Sequence, residues 1–532
     1  MNKIFEQLKK QRGIDEDFLH PKYERLTDPF LLPDMEKAVE RIREAGDKGE
    51  KVVVYGDYDV DGVTASTVME EALRLAGITD VEIMLPDRFA DGYGMSPKLI
   101  TFAQKIGAKL VVTVDCGSSN REIVQKLTDA GIDTIVTDHH ECPDELPKAV
   151  AVVNPKRKDF KGFRDLAGVG VAFKVAQGLV KKGRIPEGRE KWLLDLVLIG
   201  TICDSMPLLG ENRILGYYGM IVLGKAKRLG IDELAKKARI KTIDSDAIGY
   251  QLGPRLNAAG RLESAKVALD LVRSKSRAEA AKLAEKLEDL NAQRKFAQSD
   301  AIKEIEQHGI KQEKVIVEVG DWHEGVLGIV AGKLTEKYAR PAFVLSRVNE
   351  EFLKGSGRSF GDFSLASALT YCKNTIISGG GHAAACGVKV SMEQVSNFKA
   401  ELNKYYESLN LTNQEKYLKI HEDVATGSLK DLSLELLQNI KLLEPFGEGN
   451  SSPVFMLKQV EIISVRRMGL DGKHLRIDVK GDDGEEMKLL AFFAPDDWCE
   501  IPIGDKRDIL VQLIENDWNG MKSVEGRIVD FL

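Results

Sequence analysis

The chain has 532 residues, of which 43% are hydrophobic and 30% are charged, a composition typical of a globular protein with roughly three or four domains. Its net charge of −7 and pI near 5.8 argue against a basic surface over the whole molecule but leave room for a local basic groove. The sequence has no run of about 18 apolar residues, no apolar leader and no C-x-x-C pair. This argues against a membrane span, a secretory signal and a disulfide or zinc framework, and it predicts a cytoplasmic protein.

The first 240 residues alternate short apolar runs with segments of helix length. Each run is rich in β-branched residues and has the length of a strand. This alternation predicts an α/β domain with a parallel sheet over residues 1–240. The predicted strands are 51–55, 81–85, 109–114, 133–137 and 149–154.

The rest of the chain divides into three further segments. A connecting segment over residues 241–310 contains a stretch from Ser276 to about Gln307 that is charged and lacks Gly and Pro, which predicts a long helix between two globular parts. A second α/β unit follows over residues 311–409, with strands in KVIVEVG and RPAFVLS. Residues 410–532 contain short alternating strands at regular spacing, which predicts a small β-barrel of the OB-fold type.

Acidic and imidazole side chains gather where the predicted strands of the first domain end. Because the carboxyl ends of parallel strands meet at one edge of a sheet, we expect these side chains to lie close together. A further acid ends the apolar, helix-like run LVLIGTICDSMPL, where an acid is paired, a cap or a ligand. The residues are Asp57, Asp59 and Asp61 after the first strand, Asp115 after KLVVTV, Asp138, His139 and His140 after DTIVT, and Asp204.

This combination of side chains predicts a metal site. Carboxylate oxygens mixed with imidazoles favour Mn²⁺ or Mg²⁺, and several carboxylates at one edge favour two ions about 3.5–4 Å apart, as in phosphodiester hydrolysis. Taken singly, an Asp after a strand is more often a turn residue or a helix N-cap, and Asp57 and Asp138 could each orient a neighbour instead. A calcium loop is excluded because Val68 stands where an EF-hand needs glutamate.

The sequence around these residues resembles the DHH phosphoesterase superfamily, in which D-x-D-G follows one strand, a lone Asp follows the next and D-H-H follows a third. Within the superfamily it is similar to the RecJ branch of single-stranded-DNA-specific exonucleases. The resemblance runs from the N-terminus to about residue 400 and continues into the barrel. The matching stretches are GDYDVDGVTAS, LPDRFADGYG, VTVDCG, VTDHH, VVNPKR, LAGVGVAFK, LGPRLNAAGRLESA, GDWHEGVLGIVAGKL, GSGRS, SGGGHAAACG and EPFGEGNSSPVF.

The resemblance implies roles for the clustered residues. It implies that His140 touches the scissile phosphate or aids proton transfer, and that Asp57 is a ligand or a close support. Many relatives carry a histidine ligand at the position of Tyr55, which the RecJ branch often lacks. The residues implied as metal ligands are Asp59, Asp61, Asp115, His139 and Asp204.

The resemblance also implies a cleft between the two α/β units, lined by residues that hold the 5′ end of a strand and its phosphate. The glycine run of the second unit predicts a loop whose backbone N–H groups approach phosphates closely. Taken singly, an arginine is more often a solvated surface group, and His323 is equally often a packing residue. The residues assigned to substrate binding are Arg255, Asn257, Arg261, His323, Ser356, Arg358, Gly380, Gly381 and His382. Candidates on the barrel are Arg466, Arg467, Lys473, Arg476 and Phe492.

The implied function is hydrolysis of single-stranded DNA from its 5′ end by two-metal catalysis with Mn²⁺ or Mg²⁺, in DNA repair and recombination. We also expect a monomer that does not bind membranes, with a single-strand-binding protein or a helicase as candidate partner. Two alternatives stay open. One is a phosphodiesterase for very short oligonucleotides or cyclic dinucleotides, against which the N-terminal extension, long helix and barrel argue. The other is a scaffold that only binds DNA or a replication partner, against which the intact acidic cluster argues.

Overall fold

The computed structural model describes residues 2–92, 94–226, 228–411, 414–469 and 472–532. Its first domain contains five parallel strands: β1 (Val52–Tyr55), β2 (Val81–Met84), β3 (Leu110–Val114), β4 (Asp133–Thr137) and β5 (Ala151–Val153). They lie in the order β2-β1-β3-β4-β5. All residues of β1 and β3 are buried, as in a sheet that is covered on both faces.

Crossover helices cover this sheet. Because β1 has β2 on one side and β3 on the other, the crossovers change direction between β1 and β3, and the crevice at such a switch point is where open α/β sheets bind ligands. The helices of this part of the chain are α1 (Lys3–Arg12), α2 (Glu16–Leu19), α3 (Met35–Lys48), α4 (Val60–Leu75), α5 (Lys98–Ile106), α6 (Arg121–Asp129), α7 (Gly168–Lys181), α8 (Leu194–Cys203), α9 (Gly210–Ala226) and α10 (Leu229–Lys237).

A helical connection leads to the second domain. Its elements are α11 (Ser245–Ala247), a π-helical turn (Ile248–Leu252), α12 (Gly253–Leu262), α13 (Lys266–Arg273) and α14 (Arg277–His308). With 32 residues, α14 is about 48 Å long. Its first half buries Ala280 and Leu287 in the core of the first domain, and its second half buries Ala301 and Ile305 in that of the second. The predicted long linking helix is confirmed.

The second domain is built on a mixed sheet in the order β6-β7-β8-β10-β9, in which only β6 and β7 pair in parallel. One face packs against the C-terminal half of α14, and the other packs against the domain's last helix. The elements are β6 (Ile316–Gly320), α15 (Leu327–Tyr338), β7 (Ala342–Arg347), β8 (Phe352–Arg358), α16 (Leu365–Tyr371), β9 (Ser378–Gly381), β10 (Ala385–Ser391) and α17 (Val395–Ser408).

The last domain is a closed barrel. Strands β12, β13, β14, β16 and β15 pair in that order, and pairing of β15 with β12 closes the barrel, while β11 adds to β12 in parallel. This strand order confirms the predicted OB-fold. The elements are β11 (Val424–Thr426), α18 (Leu434–Lys441), β12 (Phe455–Met468), β13 (His474–Lys480), β14 (Glu486–Ala491), β15 (Lys506–Trp518) and β16 (Met521–Phe531).

The N-terminal helix lies against the barrel and not against the first sheet. Phe5 and Leu8 of α1 are buried in the barrel core with Leu436. Arg12 donates two hydrogen bonds to the carboxylate of Asp423, at 2.5 and 2.6 Å. The domain boundaries drawn from the sequence stay a prediction. Among the described residues, no helix combines the length and the apolar character needed to cross a bilayer.

Candidate metal centre

The loop from β1 into α4 holds the first three aspartates through local hydrogen bonds. Asp59 is the N-cap of α4, and its carboxylate accepts a hydrogen bond from the backbone N–H of Gly62 at 3.0 Å. A Cβ at Gly62 would lie 2.5 Å from the carbonyl oxygen of Asp57, so only glycine lets the loop close this tightly. The carboxylate of Asp61 accepts hydrogen bonds from the first two N–H groups of α7, at 2.6 and 2.9 Å.

Asp115 follows β3 with an unusual backbone conformation. Its φ of +59° lies in the left-handed region, which a non-glycine residue rarely adopts. A Cβ at Gly168 would lie 2.6 Å from the Cβ of Asp115, so α7 approaches this side chain as closely as a glycine permits. Together, the strained backbone and the close helix fix the direction of the Asp115 carboxylate.

Carboxylates from three different elements surround the ring of His139, which follows β4. The Nε2 atom of His139 lies 3.0 Å from Asp115 Oδ1, 3.6 Å from Asp204 Oδ2 and 3.7 Å from Asp61 Oδ2. Ligand atoms of His139, Asp61 and Asp204 all lie within 4.8 Å of one another. These atoms are close enough together to bind one cation between them.

A second set of ligand atoms adjoins the first. One oxygen from each of Asp57, Asp59 and Asp115 lies within 4.8 Å of the other two, and Asp115 also groups with His139 and His140 in the same way. Because Asp115 belongs to the second set and its Oδ1 lies 3.0 Å from the Nε2 of His139, the two sets are neighbours.

Burial and mutual repulsion make this cluster unfavourable for charged carboxylates. Burial is the largest cause of the raised pKa values, and neighbouring aspartates add to it. The pKa is raised to about 8 for Asp57, to about 7 for Asp61, to about 9 for Asp204, and well above the usual range for Asp115. Burial and the charge of His140 lower the pKa of His139 to about 3, so the His139 ring is neutral and able to bind a cation.

The donor set fits Mn²⁺ or Mg²⁺. Three buried oxygens, Asp57 Oδ1, Asp115 Oδ1 and Asp204 Oδ2, accept no hydrogen bond from the described residues. A buried polar atom left unpaired costs about 1–3 kcal/mol, and hard carboxylate oxygens are preferred ligands of both cations. The residues that would hold the ions are Asp57, Asp59, Asp61, Asp115, His139 and Asp204. Their individual roles stay a prediction.

Asp138 differs from these aspartates because its oxygens are used in hydrogen bonds. It accepts from the backbone N–H groups of Ser118, His139 and His140, at 2.9, 2.8 and 3.1 Å, and it lies 2.8 Å from the Nδ1 of His140. Although burial favours the neutral acid, the bond to His140 holds the pKa of Asp138 below its usual range. In turn, and against the effect of burial, Asp138 raises the pKa of His140 to about 9. Asp138 therefore orients a protonated His140.

The Tyr55 side chain forms its hydrogen bonds outside the acidic cluster. Its buried hydroxyl donates to the carbonyl oxygen of Gly94 at 3.1 Å and accepts from the N–H of Ser96 at 3.0 Å. The Tyr55 side chain therefore does not take part in the acidic cluster.

Three arginines from three elements gather beside the acidic cluster. Burial and the charges of Arg88 and Arg358 lower the pKa of Arg261 to about 10, and Asp59 opposes that shift. The Arg88 guanidinium lies 4.9 Å from the centre of the Tyr58 ring. Within the described ranges, none of the three forms an ion pair with a carboxylate. Arg88 was not among the residues predicted from the sequence, although a cation shortly after β2 in LPDRFADGYG is a usable signal.

Other residues assigned to substrate binding have partners within the protein. Arg255 forms an ion pair with Glu288 of α14 at 2.5 Å and is buried. The side-chain oxygen of Asn257 accepts from the N–H of Val60, at the start of α4. The His323 ring stacks edge-on against Phe89, with centroids 5.4 Å apart. Arg255 therefore stabilises the helix contact, whereas Asn257 and His323 lie beside the loops of the first domain that carry the aspartates and Arg88.

The glycine run of the second domain differs from the predicted loop. Residues Ser378–Gly381 form the exposed edge strand β9, with Gly380 paired to Gly387 and Gly381 paired to Cys386 of β10. The exposed His382 begins the turn that follows, and its N–H donates to the carbonyl of Ala385. A strand forms here because the glycines pair in register with β10, so their N–H groups follow a strand edge and do not surround an anion as a nest would. Ser356 lies on β8, on the same face as Arg358.

The barrel presents cations and aromatics on its surface. Arg466, Arg467 and Lys473 are exposed, whereas Arg476 is paired with Asp478. Phe492 is 54% exposed, and the neighbouring Phe493, which the sequence analysis did not select, is 75% exposed. Both phenylalanine rings contact His474.

Comparisons with known proteins agree with this architecture. Three family models match: the DHH family N-terminal domain at residues 51–201, the DHHA1 domain at residues 312–408 and the RecJ OB domain at residues 425–530. The single-stranded-DNA-specific exonuclease RecJ of Bacillus subtilis is 35% identical, and the match covers 96% of this chain but 65% of that protein. The RecJ of Haemophilus influenzae is 34% identical over 95% of this chain and 92% of that protein.

Solved structures give the same result. Crystal structures of RecJ from Thermus thermophilus in complex with Mn²⁺ and with Mg²⁺ are similar over 100% of this chain, with TM-scores of 0.84 and 0.80. Their sequence identities are 28% and 26%, and the match covers 76% and 74% of those chains. Its three domains, its acidic centre and relatives at 34–35% identity over 95–96% of its length agree. The chain belongs to the RecJ family of DHH phosphoesterases.

Proposed function

We propose that this protein is a metal-dependent exonuclease that removes nucleotides from the 5′ end of single-stranded DNA by two-metal catalysis. One observation carries the proposal: the unpaired carboxylate oxygens of the metal centre lie beside a cluster of arginines that have no carboxylate partner among the described residues. The first feature suits divalent cations, and the second suits a phosphate. The names of the relatives, all single-stranded-DNA-specific exonucleases, support the same substrate class.

The arginine cluster supports the polarity. Arg88, Arg261 and Arg358 come from a loop, a helix and a strand, and their charges act on one another, so they form one cluster. A terminal phosphate carries more charge than an internal one and would be held best by several cations at once. We infer that a 5′ phosphate binds there and places the adjoining phosphodiester over the metal centre.

The side chains of the metal centre have different roles in the proposed hydrolysis. When bound, divalent cations would activate a water molecule and neutralise charge on the phosphate. His140, oriented by Asp138 and with its pKa raised to about 9, is protonated at neutral pH and would stabilise or protonate the leaving oxygen. Asp61, held by the N-terminus of α7, and Asp115, held by its strained backbone, would keep the ligand geometry fixed.

The architecture supports a single strand as substrate. The metal centre belongs to the first domain and Arg358 to the second, and α14 ties the two together. The barrel adds exposed cations and the aromatic pair Phe492 and Phe493, which can stack on unpaired bases. Stacking on these rings requires unpaired bases, which a single strand offers and a duplex does not.

We further propose that the protein works as a cytoplasmic monomer in DNA repair and recombination, with a single-strand-binding protein or a helicase supplying the strand. Both processes generate single strands with 5′ ends. Light scattering should report about the 58.9 kDa of one chain. A dimer would contradict the monomer.

The test uses purified protein with Mn²⁺, a 5′-phosphorylated single strand and the matching blunt duplex. We expect the single strand to be degraded to mononucleotides and the duplex to stay intact, with no cleavage when the metal is chelated. If the single strand were bound but left uncut, the protein would be a binding scaffold. If only di- and trinucleotides were cut, it would be a phosphodiesterase for short oligonucleotides.

A further inference from the structure

A cavity of about 210 Å³ lies beside the metal centre and has Arg261 in its lining. It is lined mainly by residues of α12, α14 and α15, and two further contacts connect its lining to the metal centre. Cys203 directly precedes Asp204, and Asn257 accepts the hydrogen bond from the first N–H of α4. The cavity residues used below are Cys203, Gly249, Asn257, Arg261 and Arg294.

Arg294 of α14 brings an uncompensated charge to this cavity. It is 9% exposed, and its Nη atoms donate to the side chains of Asn291 at 2.7 Å and Gln298 at 3.0 Å. Its Nε donates to no described residue, and neither does the Nδ2 of Asn291, which is 1% exposed. No carboxylate of the described residues forms an ion pair with Arg294.

This arrangement of buried donors is energetically unfavourable unless an anion binds to them. A buried cation without a counter-charge is strongly destabilising, and each buried donor left unpaired adds about 1–3 kcal/mol. Burial and the charge of Arg255 lower the pKa of Arg294, and Arg294 in turn acts on Arg261 across the cavity. Two arginines and the amide of Asn257 therefore line a small space that has no acid among its described lining residues.

We propose that Arg294, with Asn257 and its hydrogen-bond partner Asn291, forms a second anion subsite next to Arg261 that holds an internal backbone phosphate of the bound strand. The proposal rests on the single-stranded DNA substrate proposed above and adds a residue and a position to it. Arg88, Arg261 and Arg358 take the terminal phosphate, and Arg294 takes a phosphate farther along the strand. Arg261, which lines the cavity and lies under the charges of Arg88, Arg358 and Arg294, adjoins both positions. The long helix is thus both a connector and part of the strand-binding surface.

A second cavity supports an internal phosphate over a free one. This cavity, about 590 Å³, shares Cys203 and Gly249 with the first and extends to Arg527 on the barrel. Tyr250, on the π-helical turn between the two, lines the second cavity and is 81% exposed, so its ring is open to stacking. The two cavities form a path from the metal centre to the barrel, which a chain of phosphates can follow.

The test compares Arg294→Met with Lys295→Met, which removes the same charge from an exposed neighbour on α14. With Mn²⁺ and a long single strand, R294M should raise KM about ten- to hundredfold while kcat changes less than about twofold. It should also make the dependence of log(kcat/KM) on log[salt] shallower by about 0.7, the value for one phosphate of a single strand. K295M should match the wild-type protein.

Stability separates the proposal from a purely structural role. Because R294M removes a buried, unpaired charge, we expect its melting temperature to equal or exceed that of the wild-type protein. A lowered melting temperature with unchanged KM would mean that Arg294 only holds α14 together, and would overturn the proposal.

Strands that carry an uncharged linkage at one position show which phosphate binds to Arg294. In strands with one methylphosphonate at successive positions, one internal linkage should raise KM for the wild-type protein but not further for R294M. The opposite outcome is that replacement of the 5′ phosphate by a 5′ hydroxyl raises KM for the wild-type protein but not further for R294M. In that case Arg294 holds the terminal phosphate and the internal assignment is wrong. Strictly additive losses at every position would overturn the subsite. A wild-type protein that cuts no strand would instead refute the proposed function.

Discussion

At Asp115 two unfavourable features coincide in one residue. Its backbone adopts a left-handed conformation at φ +59°, and its carboxylate is buried among other acids, which raises its pKa well above the usual range. Neither feature stabilises the fold of the metal-free protein. Both are explained if the carboxylate is held in place for a cation.

Asp115→Asn therefore should lower cleavage of single strands by more than about a hundredfold while strand binding changes little. The change removes a buried charge, so the metal-free variant should melt at or above the temperature of the wild-type protein. Cleavage assays, binding measured by fluorescence anisotropy and calorimetry check the three results. Equal loss of binding and cleavage would mean that Asp115 is structural.

The titration of the cluster predicts a pH-dependent stability in the metal-free protein. The pKa values of Asp61, Asp57 and Asp204 are raised to about 7, 8 and 9, above those of the unfolded chain. A carboxyl whose pKa is raised on folding stabilises the fold at low pH and loses that contribution as pH rises through the folded value. With a chelator present, the melting temperature should fall by about 5 °C or more between pH 6 and pH 9.

The metal-loaded protein is the control for this titration. Bound cations keep the carboxylates charged at all these pH values, so its melting temperature should change little over the same range. If the melting temperature of the chelated protein did not change with pH, the aspartates would not be as unfavourable in their charged form as their raised pKa values indicate.

At the scale of elements, the first turn of α7 positions the centre. Gly168→Ala would place a Cβ 2.6 Å from the Cβ and 2.7 Å from the Oδ1 of Asp115. Because one of the two must move, we expect kcat to fall by about a hundredfold and the melting temperature to fall by a few degrees.

Gly224→Ala on α9 is the matched control, since a Cβ there meets nothing within 4 Å. It should raise helix stability by about 0.5–1 kcal/mol and leave cleavage unchanged. Wild-type kcat in G168A would show that the closeness of α7 to Asp115 has no catalytic role.

Elements also show how far the sequence could predict the site. Strand–helix alternation placed the acids at strand ends, and the parallel sheet brings those ends together, as Asp57, Asp115 and His139 demonstrate. The glycine run was wrongly expected to form a loop, because permissive glycines also fit a strand and only pairing with β10 decides between the two.

At the scale of the whole molecule, one buried arginine joins the barrel to the first domain. Arg213 of α9 is 2% exposed and donates to the carbonyl oxygens of Phe18, Leu442, Leu443 and Glu444. The last three follow α18, so the arginine also caps the end of that helix. These contacts set where the barrel lies relative to the metal centre.

Arg213→Met should leave these carbonyls unpaired, cost about 2–4 kcal/mol and raise KM for long strands more than for dinucleotides. Arg164→Met, which loses carbonyl contacts to Arg157 and Lys156 within the first domain, is the control and should show no dependence on strand length. An equal change in KM for both substrates in R213M would mean that the barrel does not guide the strand.

The sequence could not predict which residues far apart along the chain lie close together in the fold. Arg88, Arg261 and Arg358 are far apart in sequence, and their joint lack of carboxylate partners within the described ranges emerges only once α14 has brought the domains together. Arg255 carried the same motif signal as Arg261, but its pairing with Glu288 depends on helix packing that no spacing predicts. Phe493 was missed because exposure at a barrel loop has no periodic signature.

The most direct test of the central claim follows the two ends of one strand. A 5′-phosphorylated single strand carrying a label at either its 5′ or its 3′ end is incubated with the protein and Mn²⁺. The account predicts that the 5′ label is released at once as a mononucleotide, while the 3′-labelled strand shortens step by step. Immediate release of the 3′ label, with the 5′-labelled strand shortening instead, would contradict it.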